Sequence, residues 1–350
     1  MATIKLRYEY FSIMGIIICL ILMFRYPVVV KDGVSGGLNI CFNTIIPSLF
    51  PFITLSSYIT KSNVFSPIYK VFEGSSRLFF RQPPCSTSVM LLSMIGGYPV
   101  GIKMADELYK NQQLTKKQAQ HLSLFCMNSG PAFVITVVGI NMLNSTKAGI
   151  IMYISLCLSA VIIGLVSSFF CHKEESFNKN KRNIPLESSL TACVSDSLQS
   201  TMNICAWVIL FSALTNCIKI LNLNDSAYII TSSILEITKG CLLLCGKATL
   251  PILTGLIGFG GICVHCQVLT HIKNMEMKYR TFFLGRLIHG VLSSLISYIL
   301  FLIFPVEIDV FSSFDKTDAL RFSSSVPAFI VFIFMCIIMI FDIDRKKNVW

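Results

Sequence analysis

The chain has 350 residues, 54% of them hydrophobic and only 13% charged, and its mean hydropathy is +0.70. A soluble domain carries about a quarter charged residues; lipid rather than water must solvate this chain, which excludes a soluble globular domain. The formal net charge of +11 lies in short segments between apolar runs. That is the distribution of positive-inside loops, and no aromatic-plus-basic groove or zinc-finger spacing points to nucleic acid.

Several apolar runs reach the roughly 20 residues that a bilayer core demands, without the alternation of barrel strands, so they are expected to be helices. The first, 11–24, follows Lys5 and Arg7 like the h-region of a signal peptide. No A-x-A-like cleavage site follows Arg25-Tyr26-Pro27, which predicts a retained first helix over about 10–30. Next, 38–59 is apolar but interrupted by Pro47 and Pro51, and 86–95 is too short to span and runs into Gly96-Gly97-Tyr98-Pro99. Segment 119–143 is broken at Asn128-Ser129-Gly130-Pro131, and a full span is predicted over 147–170. A polar linker with Lys173, Lys179, Lys181 and Arg182 precedes a second full span over 195–219. Segment 248–269 is broken at Gly258-Phe259-Gly260-Gly261, and further spans are predicted over 282–304 and 326–341.

Loop charges set the orientation. Lys273, Lys278, Arg280 and Arg286 place 273–286 inside, as Arg345, Lys346 and Lys347 do the tail, whereas the acidic segment 305–325 belongs outside. The linker separates two halves with the same order of elements. In both, a polar-dotted run precedes a glycine-rich break, so that Met94–Val100 aligns with Gly258–Val264 and Lys103 falls opposite Gln267. The expected fold is an all-α polytopic membrane protein of two related halves with broken or re-entrant helices, transporter-like and arranged as an inverted repeat. Its parts are an N-terminal transmembrane helix (1–36), a first repeat (37–170), the linker (171–190), a second repeat (191–304), an external loop (305–325), and a last helix with a basic cytoplasmic tail (326–350).

Gly96-Gly97-Tyr98-Pro99-Val100-Gly101 cannot continue a regular helix, because Pro99 removes a donor and disfavours helical geometry at Tyr98. A helix beginning near Val100 would aim its positive end at the break, suiting an anion, with Lys103 adding a full charge one turn in. A surface turn with Lys103 reaching to headgroups is equally open. Asn128-Ser129-Gly130-Pro131 supplies hydrogen bonds and a proline suited to opening a second helix, against the alternative of a simple proline kink. Beyond Gly260 and Gly261, His265 and Gln267 could meet a substrate, although a lone intramembrane His commonly bonds a neighbouring carbonyl. Arg286 most simply reaches the cytoplasmic interface, and Glu236 and Lys239 can pair with each other. Cys263, His265 and Cys266 lack a fourth ligand for a metal, and the remaining cysteines read as small hydrophobes. No G-x-S-x-G, H-E-x-x-H or phosphate-binding loop supports catalysis, and no cofactor is implied. Association with further copies of the chain is left open.

Three segments occur in order: Gly97-Tyr98-Pro99-Val100-Gly101-Ile102-Lys103, then Phe125-Cys126-Met127-Asn128-Ser129-Gly130-Pro131-Ala132-Phe133, then Gly258-Phe259-Gly260-Gly261-Ile262-Cys263-Val264-His265-Cys266-Gln267-Val268. They resemble the G-Y-P-V-G-x-K, F-C-N-N-x-G-P-A-F and G-F-G-G-x-x-V-H-x-Q-V segments of the YlbJ family of sporulation integral membrane proteins, over about 37–305. Met127 stands where that family tends to carry Asn. The family belongs with proteins bearing the nucleoside-recognition, or Gate, domain, so the resemblance implies two Gate-like repeats. It implies a protein of the outer forespore membrane that passes dipicolinic acid from the mother cell. Two helix N-termini, Lys103 and His265 would offset the charge of this small anion, with Tyr98 and Phe259 flanking its ring. The alternatives are a nucleoside or ion carrier of the same type, or a spore-envelope structural protein that moves nothing.

Overall fold

The computed structural model describes residues 23–62, 78–170 and 186–306, with isolated positions between 14 and 21 and Ser76. Much of the N-terminal part of the expected first span, most of the linker, nearly all of the 305–325 loop, the 326–341 span and the basic tail lie outside the described residues. Among the described residues every regular element is helical: α1 (Pro27–Ile40), a π-helical turn (Cys41–Ile45), α2 (Ile46–Ser62), α3 (Cys85–Gly96), α4 (Tyr98–Lys110), α5 (Lys116–Phe125), a π helix (Ala132–Met142), α6 (Thr146–Phe169), α7 (Leu186–Ile218), a 3₁₀ turn (Lys219–Leu221), α8 (Asp225–Leu235), α9 (Ile237–Leu244), α10 (Leu250–Phe259), α11 (Gly261–Asn274) and α12 (Tyr279–Ile303). Among the described residues four stretches are long and apolar enough to cross a membrane, namely Thr146–Phe169, Leu190–Leu221, Leu250–Asn274 and Tyr279–Ile303. Three of them match expected spans to within a few residues. The other, Leu250–Asn274, differs from the broken segment expected there; it contains the Gly260 interruption and still runs as one span.

The first helical hairpin differs from expectation. Pro47 and Pro51 do not end the helix; they bend it, and Pro27–Ile45 meets Leu49–Leu55 at 55°. The π-helical turn is what allows this. The Ile46 N–H reaches back five residues to the Cys41 carbonyl, loosening the ladder just before Pro47, whose ring would clash with a regular preceding turn.

The spans are inverted relative to soluble helices. On α12 the buried residues include Gly285, Arg286, His289, Gly290, Ser293 and Ser297, while Leu284, Ile288, Val291, Leu295 and Ile299 are exposed. Similarly, α6 exposes Ile150, Ile154, Leu158, Ile162 and Val166 at a spacing of four and buries Ser155 and Ser159. Lipid solvates the apolar stripe, and small or polar residues let the helices approach closely and bond one another. The pairing of α1 with α7 shows the closeness: Gly33 and Gly37 face the Ala213 and Ile209 backbones, whose Cα atoms lie 2.7 and 2.8 Å from where a side chain would begin. Beyond this, α10 packs along α12, α6 against both α12 and the π helix, and α4 against α3 and α11.

Each half carries two interrupted helices followed by a full span. In the first half these are α3–α4, α5–π helix and α6; in the second they are α8–α9, α10–α11 and α12. This order corrects the pairing expected from the sequence, which sets Gly97 against Gly260–Gly261: the break at Gly97 corresponds to one at Glu236, and the break at 126–130 to Gly260.

Candidate functional site: a cavity at the helix breaks

Gly97 forms the α3–α4 break alone. Its backbone at φ 89°, ψ −176° is one that residues with a side chain avoid. Pro99 follows in the first turn of α4, where its missing donor is harmless. The second break, 126–130, has Asn128 as its brace. The Asn128 Nδ2 donates to the Phe125 carbonyl at 3.2 Å and to Ser93 Oγ at 3.3 Å, and its buried Oδ1 has no partner. The two breaks touch, with the Gly130 backbone packed on Gly97 and on the Ile95 carbonyl. The third break, at Glu236, is held by its own side chain, whose two oxygens accept the Thr238 N–H at 3.0 Å and the Lys239 N–H at 2.6 Å. Glu236 thereby caps α9 rather than pairing with the Lys239 ammonium. The fourth break, at Gly260 and Gly261, has both residues at positive φ. Gly260 lies against the Tyr98 ring, and Gly261 lies against the backbone joining α8 to α9.

The first three breaks line a cavity of about 80 Å³, closed on its remaining sides by Thr44, Ile45 and Leu49 of the bent hairpin, Ile204 and Val208 of α7, and Cys263, Val264 and Gln267 of α11. Of the residues singled out from the sequence, Gly97, Tyr98, Pro99, Ser129, Gly130 and Gln267 lie on its wall. Tyr98 also joins the halves, its hydroxyl donating to the Ile257 carbonyl at 2.5 Å.

The other expected residues lie elsewhere. Lys103, 8% exposed, points to Ser200 Oγ at 2.9 Å, Ser57 Oγ at 3.3 Å and the Glu107 carboxylate at 3.9 Å. His265 lies between the Tyr279 hydroxyl (3.1 Å) and the Phe259 carbonyl (3.0 Å), within a ring of Phe259, Phe282 and Phe283. Asn128, Gly260 and Gly261 shape the breaks behind the wall. Among the described residues no group of three or more His, Cys, Asp or Glu side chains could hold a metal ion; Cys263 faces the cavity while His265 is held by the aromatic ring cluster.

Two residues have other roles than the sequence suggests. Glu236 is the charged residue on the cavity wall, and among the described residues no Lys, Arg or His joins it on that wall. An acid isolated in the apolar stretch 227–238 is itself the sequence signal. The second is Arg286. It does not reach the interface but is 1% exposed at the centre of the molecule. Its guanidinium donates to the Met127 carbonyl at 2.5 Å, to the Phe259 carbonyl at 3.4 Å and to the Gly258 carbonyl. His289, one turn on, lies 3.1 Å from both the Gly258 and Leu156 carbonyls. The carbonyls freed where α5 and α10 end are therefore satisfied by α12.

A second, open hollow of about 780 Å³ lies at the end of the molecule where α5 and α12 begin and α6 ends, with Arg81, Lys116, Lys117 and Lys278 on its walls. Lys116 pairs there with Glu276.

Bent, inside-out spans, paired breaks and a cavity between the halves define the class: a polytopic α-helical integral membrane protein built on interrupted helices. No family model matches the chain, and no solved structure matches it. It is similar to the sporulation integral membrane protein YlbJ of Bacillus subtilis (strain 168), with 24% identity over 312 residues and 76% of each chain covered. That similarity supports membership of the YlbJ family, in agreement with the three ordered motifs.

Proposed function

We propose that the protein is a carrier, not an enzyme, and that it passes a small organic anion through the cavity between its halves. In line with the family resemblance, the cargo is dipicolinic acid, moved from the mother cell across the outer forespore membrane. The observation that carries this reading is the meeting of three helix breaks from both halves on one cavity. In transporters, interrupted helices mark the solute site because their free backbone groups serve as ligands. The cavity is smaller than the ~300–1,000 Å³ of ordinary small-molecule pockets, so the described conformation is closed, and one half must rock against the other to admit cargo.

The test is uptake of labelled dipicolinate into proteoliposomes, together with the dipicolinate content of spores from cells lacking the protein. Uptake above empty liposomes and dipicolinate-poor spores are expected. No uptake, or normal spores in the absence of another carrier, would remove the assignment. A second reading, a nucleoside as cargo, is favoured by the hydrogen-bonding wall of Glu236, Gln267, Thr238 and Ser129. Competition by excess nucleoside in the same assay would select it.

A further inference from the structure

We propose that Glu236 is a proton-binding site and that the carrier moves one proton with each anion. The inference rests on the transport reading above and resolves a conflict within it: the cavity offers an anion a carboxylate. Glu236 is 1% exposed and stands on the wall opposite Tyr98 and Pro99 of α4 and Ser129 and Gly130 of the second break. Its oxygens are spoken for by two backbone N–H groups of α9. Those bonds and the positive end of α9 favour the carboxylate, against the cost of burying its charge.

A second negative charge a few ångströms away in a low dielectric is strongly repelled. One proton on Glu236 removes the repulsion and turns the wall into a hydrogen-bond donor for the anion.

The groups facing Glu236 leave this role to it. On α9, Lys239 bonds the carboxylate through its backbone N–H; its ammonium lies within electrostatic reach, beside the Lys219 charge, without forming an ion pair with Glu236, and the Cys241 side chain is also within reach. From the bent hairpin Cys41 faces it, and from α11 Cys263; these are thiols that carry no positive charge. From α4 comes the Tyr98 phenol, with Arg286 of α12 beyond it; that guanidinium is committed to three carbonyls. Lys219, after α7, faces Lys239 rather than the cavity. Among the described residues no cation lines the cavity wall itself, so the charge that neutralises Glu236 where an anion would sit arrives there as a proton.

The experiment uses the full chain in proteoliposomes clamped at zero membrane potential, with labelled dipicolinate as probe. With one proton per anion, each unit of imposed pH difference drives about tenfold accumulation, since tenfold and one pH unit are the same free energy. Wild-type protein should accumulate dipicolinate on acidifying the outside, and each entering anion should remove one proton from the medium. Glu236→Gln should lose pH-driven accumulation and proton removal together, and Glu236→Asp should keep both. Transport by the wild type that ignores the pH difference, removes no protons or follows a sodium gradient overturns proton coupling and leaves the transport reading standing. Accumulation by Glu236→Gln at the wild-type level overturns the assignment to this residue. If Glu236→Gln fails to fold, proton removal by the wild type still decides the coupling. Absence of any dipicolinate movement by the wild type overturns the transport reading, and coupling with it.

Discussion

A buried guanidinium without an acid is a liability in a bilayer unless its donors are met. At Arg286 they are met by main chain. The last carbonyls of a helix carry partial negative charge and lack intrahelical partners, and two helix ends deliver theirs to one planar fork. The arrangement suits Arg and not Lys, whose ammonium is a point charge with no fork. Arg286→Met should destabilise the protein by about 1–3 kcal/mol for each buried carbonyl left without a donor. Arg286→Lys should recover only part of that. Thermal unfolding of the detergent-solubilised protein measures both, and a melting temperature for Arg286→Met equal to wild type would show that the carbonyls find other partners.

At the scale of elements, the breaks hold their shape because glycine stands where backbone meets backbone. A Cβ at Gly101 would overlap the Cys126 carbonyl oxygen, so α4 lies flush on the second break only without a side chain there. Gly97 is constrained differently, by a backbone conformation costing a residue with a Cβ about 1–3 kcal/mol. Gly101→Ala should therefore lose more than Gly97→Ala, because the obstruction is main chain and cannot swing aside. Membrane abundance and unfolding temperature should rank wild type, Gly97→Ala, Gly101→Ala in falling order; the reverse order of the two variants would contradict this packing. The Glu236 break works without glycine, since a carboxylate capping α9 does what glycine does elsewhere.

For the whole molecule, sidedness follows from following the spans. The end of α6, the start of α5 and the α11–α12 connection share the rim of the basic hollow. Positive loops stay in the cytoplasm, which makes this the inner face. The segment 142–146, at the other end of the 24-residue α6, then lies across the bilayer, ~36 Å away at 1.5 Å per residue. Single cysteines placed at Lys117 and Lys278 should react with an impermeant reagent only from the cytoplasmic side, and ones at Asn144 and Lys247 only from the opposite side. Labelling of both pairs from one side would refute this orientation.

Sequence alone determined the class, the helical fold and the position of most spans, because the length and apolarity a bilayer demands are written locally in each segment. It also determined three of the four breaks, since Gly97, the Asn128–Pro131 run and Gly260 interrupt a helix through their own backbone chemistry. It did not determine which way the polar residues face. Lys103 stands one turn past a break, as motif reading expected, yet its rotation on α4 turns it toward α2 and α7. Arg286, placed at the interface by its neighbours in sequence, is drawn to the centre by carbonyls 159 and 28 residues away. The Glu236 break escaped notice because it has no glycine or proline and is made by a side chain bonding forward to main chain. Such orientations depend on partners distant in the chain, so only the tertiary packing of the two halves decided that the cavity would carry an acid.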